Sequence, residues 1–108
     1  MNGKNSVQLV GYVGQHLNQS GNGKGLRVAL RVATHYYFKD ESGKPVDRTT
    51  WHDVLVWDET AEFAVKNFVK GSRIMVEGRI VNREFTGRDG KKHVSTHIKA
   101  YNLVNLDR

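Results

Sequence analysis

The chain has no cysteine. That absence excludes a disulfide scaffold and any thiolate metal site, and it is compatible with a reducing cytoplasm. No apolar run is long enough to cross a bilayer, and the first residues show neither the charged n-region nor the apolar h-region of a secretory signal. Without secretion the Asn18-Gln19-Ser20 sequon carries no meaning. Acidic residues are in deficit, eleven against seventeen Lys and Arg, which leaves a formal charge of +6. A small basic domain attracts polyanions over long range, so nucleic acid and acidic membrane surfaces both qualify as partners. No internal repeat, linker or low-complexity tract divides the 108 residues, so one domain with one core is expected over 1–108.

What is present reads as short alternating strands. Val7 to Val13 is apolar and strand-like, with Gly11 marking a bulge or bend. Gln15–Gly25 is polar and Gly-rich and reads as a mobile hairpin loop. Leu26, Val28, Leu30 and Val32 then alternate with Arg27, Ala29, Arg31 and Ala33, which assigns one face to the core and two arginines to the other. Tyr36–Arg48 reads as a second long loop, followed by a strand over Thr49–Trp57 with Val54 and Val56 inward. Asp58 offers an N-cap, and Ala61, Ala64, Val65 and Phe68 follow the spacing of one short amphipathic helix ended by Gly71. A fourth strand is expected from Arg73 to about Phe85, with Ile74, Val76 and Ile80 inward and a bulge at Gly78. Asp89-Gly90 signals a hairpin into a last strand carrying Val94, Thr96, Ile98 and Ala100 on one face. The order strand, strand, strand, helix, strand, strand describes an all-β chain with one short helix, the OB-fold: a five-stranded Greek-key barrel over about residues 5–106. Its second and third strands form the usual oligonucleotide face.

Four aromatics sit among polar and basic residues: Phe38, Trp51, Trp57 and Phe85. Trp51 and Trp57 share a strand at an even spacing, hence one face, and Asp53 on that face argues against deep core. Flat apolar rings on a wet, basic surface suit unpaired bases. Each base laid on an aromatic gains about 1–3 kcal/mol, whatever its identity. Arg31, Arg79, Arg83, Lys91 and Lys92 are the candidates for phosphate contact, with Arg27 and Lys99 as further ones. A duplex hides its base faces, so this chemistry favours single strands; it does not separate DNA from RNA. Taken singly, a lone Phe more often packs under a loop and a surface arginine more often stays solvated. Together, on the oligonucleotide side of this barrel, they point to binding.

Enzymatic chemistry finds little support. His93 and His97 on a strand stand about 13 Å apart at roughly 3.3 Å per residue, too far to share a metal ion. Gly21-Asn22-Gly23-Lys24-Gly25 lacks the Ser or Thr and the helix that a phosphate loop needs. No Ser-His-acid set or carboxylate pair is suggested by spacing, so no catalytic residue, metal or cofactor is expected. A nuclease on this barrel and a purely structural subunit remain the readings from other classes.

Several segments carry a family likeness: Val7-Gln8-Leu9-Val10-Gly11, Ala33-Thr34, Thr50-Trp51-His52, Ala61-Glu62, Lys70-Gly71-Ser72, Val76-Glu77-Gly78-Arg79 and the Asp89-Gly90 hairpin. In this order and spacing, from about Asn5 to Leu106, the chain resembles the bacterial single-stranded DNA-binding proteins. The resemblance implies sequence-tolerant binding of single-stranded DNA, in replication, repair or recombination, by Phe38, Trp51, Trp57 and Phe85. Phe38 and Phe85 stand where the family commonly has Trp, and Trp57 where it commonly has Phe; Glu59 replaces a basic residue. The resemblance further implies a homo-oligomer, commonly a tetramer, with His52 at a subunit contact and the edge-strand residues Val7 and Leu9 extending a sheet across a dimer. It favours DNA over RNA and a cytoplasmic, nucleoid-associated location. A primosomal accessory protein of the same fold, usually a dimer, is the alternative. Many family members end in a disordered linker and an acidic tail that recruits replication and repair proteins. The sequence ends at Arg108 without it, either trimmed or never so equipped; in the second case recruitment through a tail is not expected.

Overall fold

The computed structural model describes residues 3–15, 18–21 and 25–107. The strands are β1 (Val7–Val13), β2 (Asn18–Ser20), β3 (Arg27–Lys39), β4 (Pro45–Trp57), β5 (Arg73–Thr86) and β6 (Lys92–Asn105), with one helix, α1 (Asp58–Asn67), between β4 and β5. The sheet runs β1-β5-β6-β4-β3-β2, and a further β1–β3 pairing closes five of its strands into a barrel. Closure depends on β1 serving two neighbours: Val7–Tyr12 pair with β5, and Tyr12 and Val13 pair with β3. At that crossing Gly11 lies so close to the Ala33 carbonyl that any Cβ would collide with it. The glycine marks close backbone approach rather than a bulge, and the β1–β5 register runs through it unbroken. The bulge expected at Gly78 falls on the facing strand instead: Glu77 pairs with Asn102 and Gly78 with Ala100, so the extra residue is Tyr101 of β6, and Gly78 is where a Cβ would meet the Lys99 carbonyl. This is the OB-fold that the element order predicts.

The alternation along β3 sorts side chains as expected. Val28, Leu30 and Val32 are buried and meet Val54, Val56, Ile74, Val76, Ile98 and Leu103 in one core. Burying each such side chain contributes about 1.5–3 kcal/mol. The helix plugs the barrel with Ala61, Ala64 and Phe68, while Val65 stays exposed. The buried stripe is narrower than its spacing implied. Trp57, not Asp58, is the N-cap, in an extended conformation and without a side-chain cap bond. Asp58 instead turns the chain at φ 50° and donates its N–H to the Leu26 carbonyl at 2.9 Å. No helix among the described residues is long and apolar enough to cross a membrane.

One hairpin is longer than the sequence implied. β3 continues to Lys39 and β4 begins at Pro45, so most of the stretch expected as a loop over Tyr36–Arg48 is a paired ribbon with a tip at 40–44. The β5–β6 hairpin runs as expected, paired from the barrel out to Thr86 and Lys92 around Asp89-Gly90. Among the described residues no second layer covers these ribbons beyond the barrel wall. Ile80, expected inward, and Val94, expected on one face with Ile98 and Ala100, are 47% and 62% exposed. The parity was right, but the core ends before those residues. In the stretch expected as a loop over Gln15–Gly25, Asn18–Ser20 forms a third-neighbour strand on β3. Residues 16, 17 and 22–24, including most of the Gly-rich segment weighed as a phosphate loop, lie outside the described residues.

Candidate nucleic-acid interface

The outer face of the β3–β4 ladder carries Arg27 opposite Trp57, Ala29 opposite Leu55, Arg31 opposite Asp53 and Ala33 opposite Trp51. Paired residues in a sheet point to the same side, so both indoles, both arginines and Asp53 share one surface. The two tryptophans are 47% and 36% exposed for Trp51 and Trp57. Each carries a cation over its ring. The Arg31 guanidinium sits 5.0 Å from the Trp51 centroid; Arg27 and the Lys99 ammonium lie 5.2 and 5.8 Å from that of Trp57. Cations at this range are held by the ring quadrupole and also pre-orient the indole. Arg31 is further tied to Asp53, Nε to Oδ1 at 3.5 Å. Trp51 rests against Gly14, where a Cβ would clash with the ring.

The parallel pairing of Leu55 with Lys99 carries this face onto β6, and the pairing of Lys99 with Arg79 carries it onto β5. Arg79, Arg83 and Phe85 then follow at even spacing on the same side of the β5–β6 ribbon. Arg83 joins Arg27, Ala29, Leu55, Gln19 and Ser20 around a cleft of about 290 Å³. A second cleft of about 270 Å³ lies beside Trp51, lined also by Asp53, Ile80 and Thr96–Ile98. Phe85 is half exposed and lies flat against His93, with centroids 5.4 Å apart.

Not every expected residue falls on this face. Phe38 pairs with Val46, at even positions, and so projects from the opposite side of the β3–β4 ribbon, stacked on Tyr36 at 5.5 Å. Lys92 pairs with Thr86 and alternates away from Phe85 on its own ribbon, while Lys91 belongs to the hairpin tip. Phe38 is therefore separated from Trp51 and Trp57 by the thickness of the β3–β4 ribbon. The reason is that the loop expected before Phe38 is a regular strand, so parity holds out to Lys39. Val7 and Leu9 turn toward the core, half-buried; Gln8, Val10 and Tyr12 face outward from β1. What β1 offers a second chain along Val7–Val10 is thus its backbone edge, not those two side chains. His52 lies opposite Trp51, as expected, with Nε2 2.9 Å from the Thr34 hydroxyl.

The sequence pattern gives no binding role to Tyr12, His35 or Tyr37, and raises His93 only as a metal ligand that strand spacing rejects. His35 and Tyr37 continue the outer face of β3 past Ala33, with Tyr12 beside them on β1, and extending the period-two pattern by four residues finds both. Among the described residues no three His, Asp or Glu side chains are grouped to hold a metal ion.

Residues 4–106 match the Single-strand binding protein family. The chain is 36% identical over 101 residues to the mitochondrial single-stranded DNA-binding protein of Drosophila melanogaster, covering 93% of this chain and 69% of that one. It is 32% identical over 106 residues to single-stranded DNA-binding protein 1 of Chlorobaculum tepidum, covering 96% and 65%. The chain thus spans about two thirds of the length of these relatives. Among solved structures, Plasmodium falciparum SSB in complex with ssDNA superposes with a TM-score of 0.83 at 25% identity, covering 99% of this chain and all of that one.

Proposed function

The chain belongs to the single-strand binding protein family, and from that membership we propose that it binds single-stranded DNA without sequence preference and without catalysis, in replication, repair or recombination. The observation that carries the reading is the pair Trp51 and Trp57, both part-exposed on one sheet face with a cation over each ring. Unpaired bases stack on such rings, while Arg31, Arg79, Arg83 and, at the hairpin tip, Lys91 hold phosphates. Phe85 extends the track along the β5–β6 ribbon. Phe38 and Lys92, on the far ribbon faces, serve a strand that passes around the edges rather than across the same face.

Oligo-dT should quench tryptophan emission, with log K falling by about 0.7 per phosphate contact for each unit of log salt. No quenching at low salt would reject the reading.

Assembly is part of the proposal. The free edge of β1 and the His52–Thr34 pair supply surfaces for a homo-oligomer, a dimer through β1 or a tetramer of two such pairs. Mass measurement in solution decides between them.

A further inference from the structure

Tyr12 on β1 stands opposite Ala33 on β3, and Ala33 opposite Trp51 on β4, so the three form one row across the sheet. The next outward residue on β3 is His35, and the one after it Tyr37. Their rings are in contact: Tyr12 meets His35 edge-on at 6.2 Å, and His35 lies nearly parallel to Tyr37 at 6.4 Å, with planes 24° apart. His35 is held from the other side, Nδ1 lying 3.3 Å from the Thr49 hydroxyl and 3.7 Å from Asp47 Oδ1. The result is a fixed aromatic run leading from Trp51 up the hairpin, and its outermost ring, Tyr37, is 72% exposed.

A tyrosine this exposed on a regular strand gains nothing from burial, and the core lies on the other side of β3. Its ring is held parallel to His35 on a surface that already carries Trp51 and Arg31. Lys39 alternates onto the same side at the end of the strand, opposite Pro45. Asp47 lies beside the run, with His35 against it.

We infer that Tyr12, His35 and Tyr37 form a second stacking platform, which takes an unpaired base of the same DNA strand beyond the one on Trp51. This rests on the reading of the chain as a single-strand binder. The ligand is a nucleobase rather than a protein side chain because the run is continuous with Trp51 and flanked by cations on the same face, Arg31 at one end and Lys39 at the other. Because every base has a π-face, stacking on these rings tolerates any base.

The test is a length series of oligo-dT titrated into the intact protein, wild type against Tyr37→Leu and Tyr12→Leu/Tyr37→Leu, followed by tryptophan quenching. Both variants should match the wild type on the shortest oligonucleotides, which Trp51 and Trp57 already hold. On longer ones they should lose about 5- to 150-fold, the worth of one stacked base. Tyr37→Trp should restore the loss. With 5-iodouracil in the oligonucleotide, photo-adducts should map to Tyr37 or Tyr12. Equal affinity of variant and wild type at every length, or an equal loss at every length with a lowered unfolding temperature, would overturn the platform and leave single-strand binding standing. Failure of the wild type itself to bind would overturn both.

Discussion

His93 lies flat on Phe85, with ring planes 25° apart, and its Nε2 is 3.2 Å from Asp89 Oδ1 at the tip of the same hairpin. One face of Phe85 is therefore occupied by a partner that the turn itself holds, and the other is left open. A phenyl ring on a projecting ribbon has no core to fix it. The imidazole supplies that fixation, and Gly87 leaves it room, since a Cβ there would meet the His93 ring. His93→Ala should weaken oligo-dT binding about two- to ten-fold, the worth of one aromatic pair, without altering the salt slope. An unchanged affinity would show that Phe85 needs no backing.

Trp51→Ala and Trp57→Ala should each cost about 1–3 kcal/mol of binding and little stability, because both rings stand outside the core. The arginines should separate by their partners. Arg31 is already paired with Asp53, so Arg31→Ala should flatten the plot of log K against log salt less than Arg79→Ala, which should remove about 0.7 from the slope. Asp53→Asn should raise affinity by freeing Arg31. Salt titrations of the three variants check the order.

The tips of both long hairpins are closed by an aspartate. Asp40 Oδ1 accepts from the Ser42 hydroxyl at 2.8 Å and from the Lys44 and Ser42 N–H groups at 2.9 Å. These bonds, the Ser42 hydroxyl first and the Lys44 amide second, hold its carboxyl below the ordinary aspartate value. Asp89 is lowered too, by the Lys91 amide first and His93 second. A carboxyl depressed in the folded state stabilises it fully above the unfolded-state pKa of about 3.9, and that stabilisation is lost as pH falls through the lower folded value. Both tips should therefore hold at neutral pH and loosen only in strong acid. Amide shifts of Ser42 and Lys91 followed from pH 7 to 2 should move together with the two carboxyls, and Asp40→Asn should abolish the Ser42 transition.

How far the sequence could be read is clear from β3. Alternation from Arg27 to Ala33 gave the buried and exposed faces correctly, because there a core covers one side. Past Ala33 the same alternation continues to Lys39, but with aromatics and charges on both sides it no longer looks amphipathic, so the ribbon read as a loop. The family resemblance sets Phe38 beside the tryptophans, and the loop reading hides the strand parity that puts it on the other side. Val65 and Ile80 failed differently: their periodicity was right, and only the three-dimensional extent of the core shows that nothing covers them. The Trp51–Trp57 relation survived because it needs only parity within one strand. Cations over the rings depend on register between strands, which no local pattern encodes.

Gly14 offers the sharpest test of whether Trp51 must be seated to work. Its N–H donates to the Arg31 carbonyl at 2.7 Å, which brings the end of β1 against β3 directly under the indole. A methyl at that point collides with the ring, and the neighbouring Arg31 carbonyl leaves the backbone little room to retreat. Gly14→Ala should push the indole outward, cost about 1–3 kcal/mol of stability as overpacking does, shift Trp51 emission to the red and weaken oligo-dT binding. Lost affinity alone would not separate a displaced platform from a loosened barrel. A double-mutant cycle does: in a Trp51→Ala background the effect of Gly14→Ala on binding should disappear while its effect on stability persists. If the binding loss survives without the indole, Gly14 acts through the fold and the seat under Trp51 has no functional role.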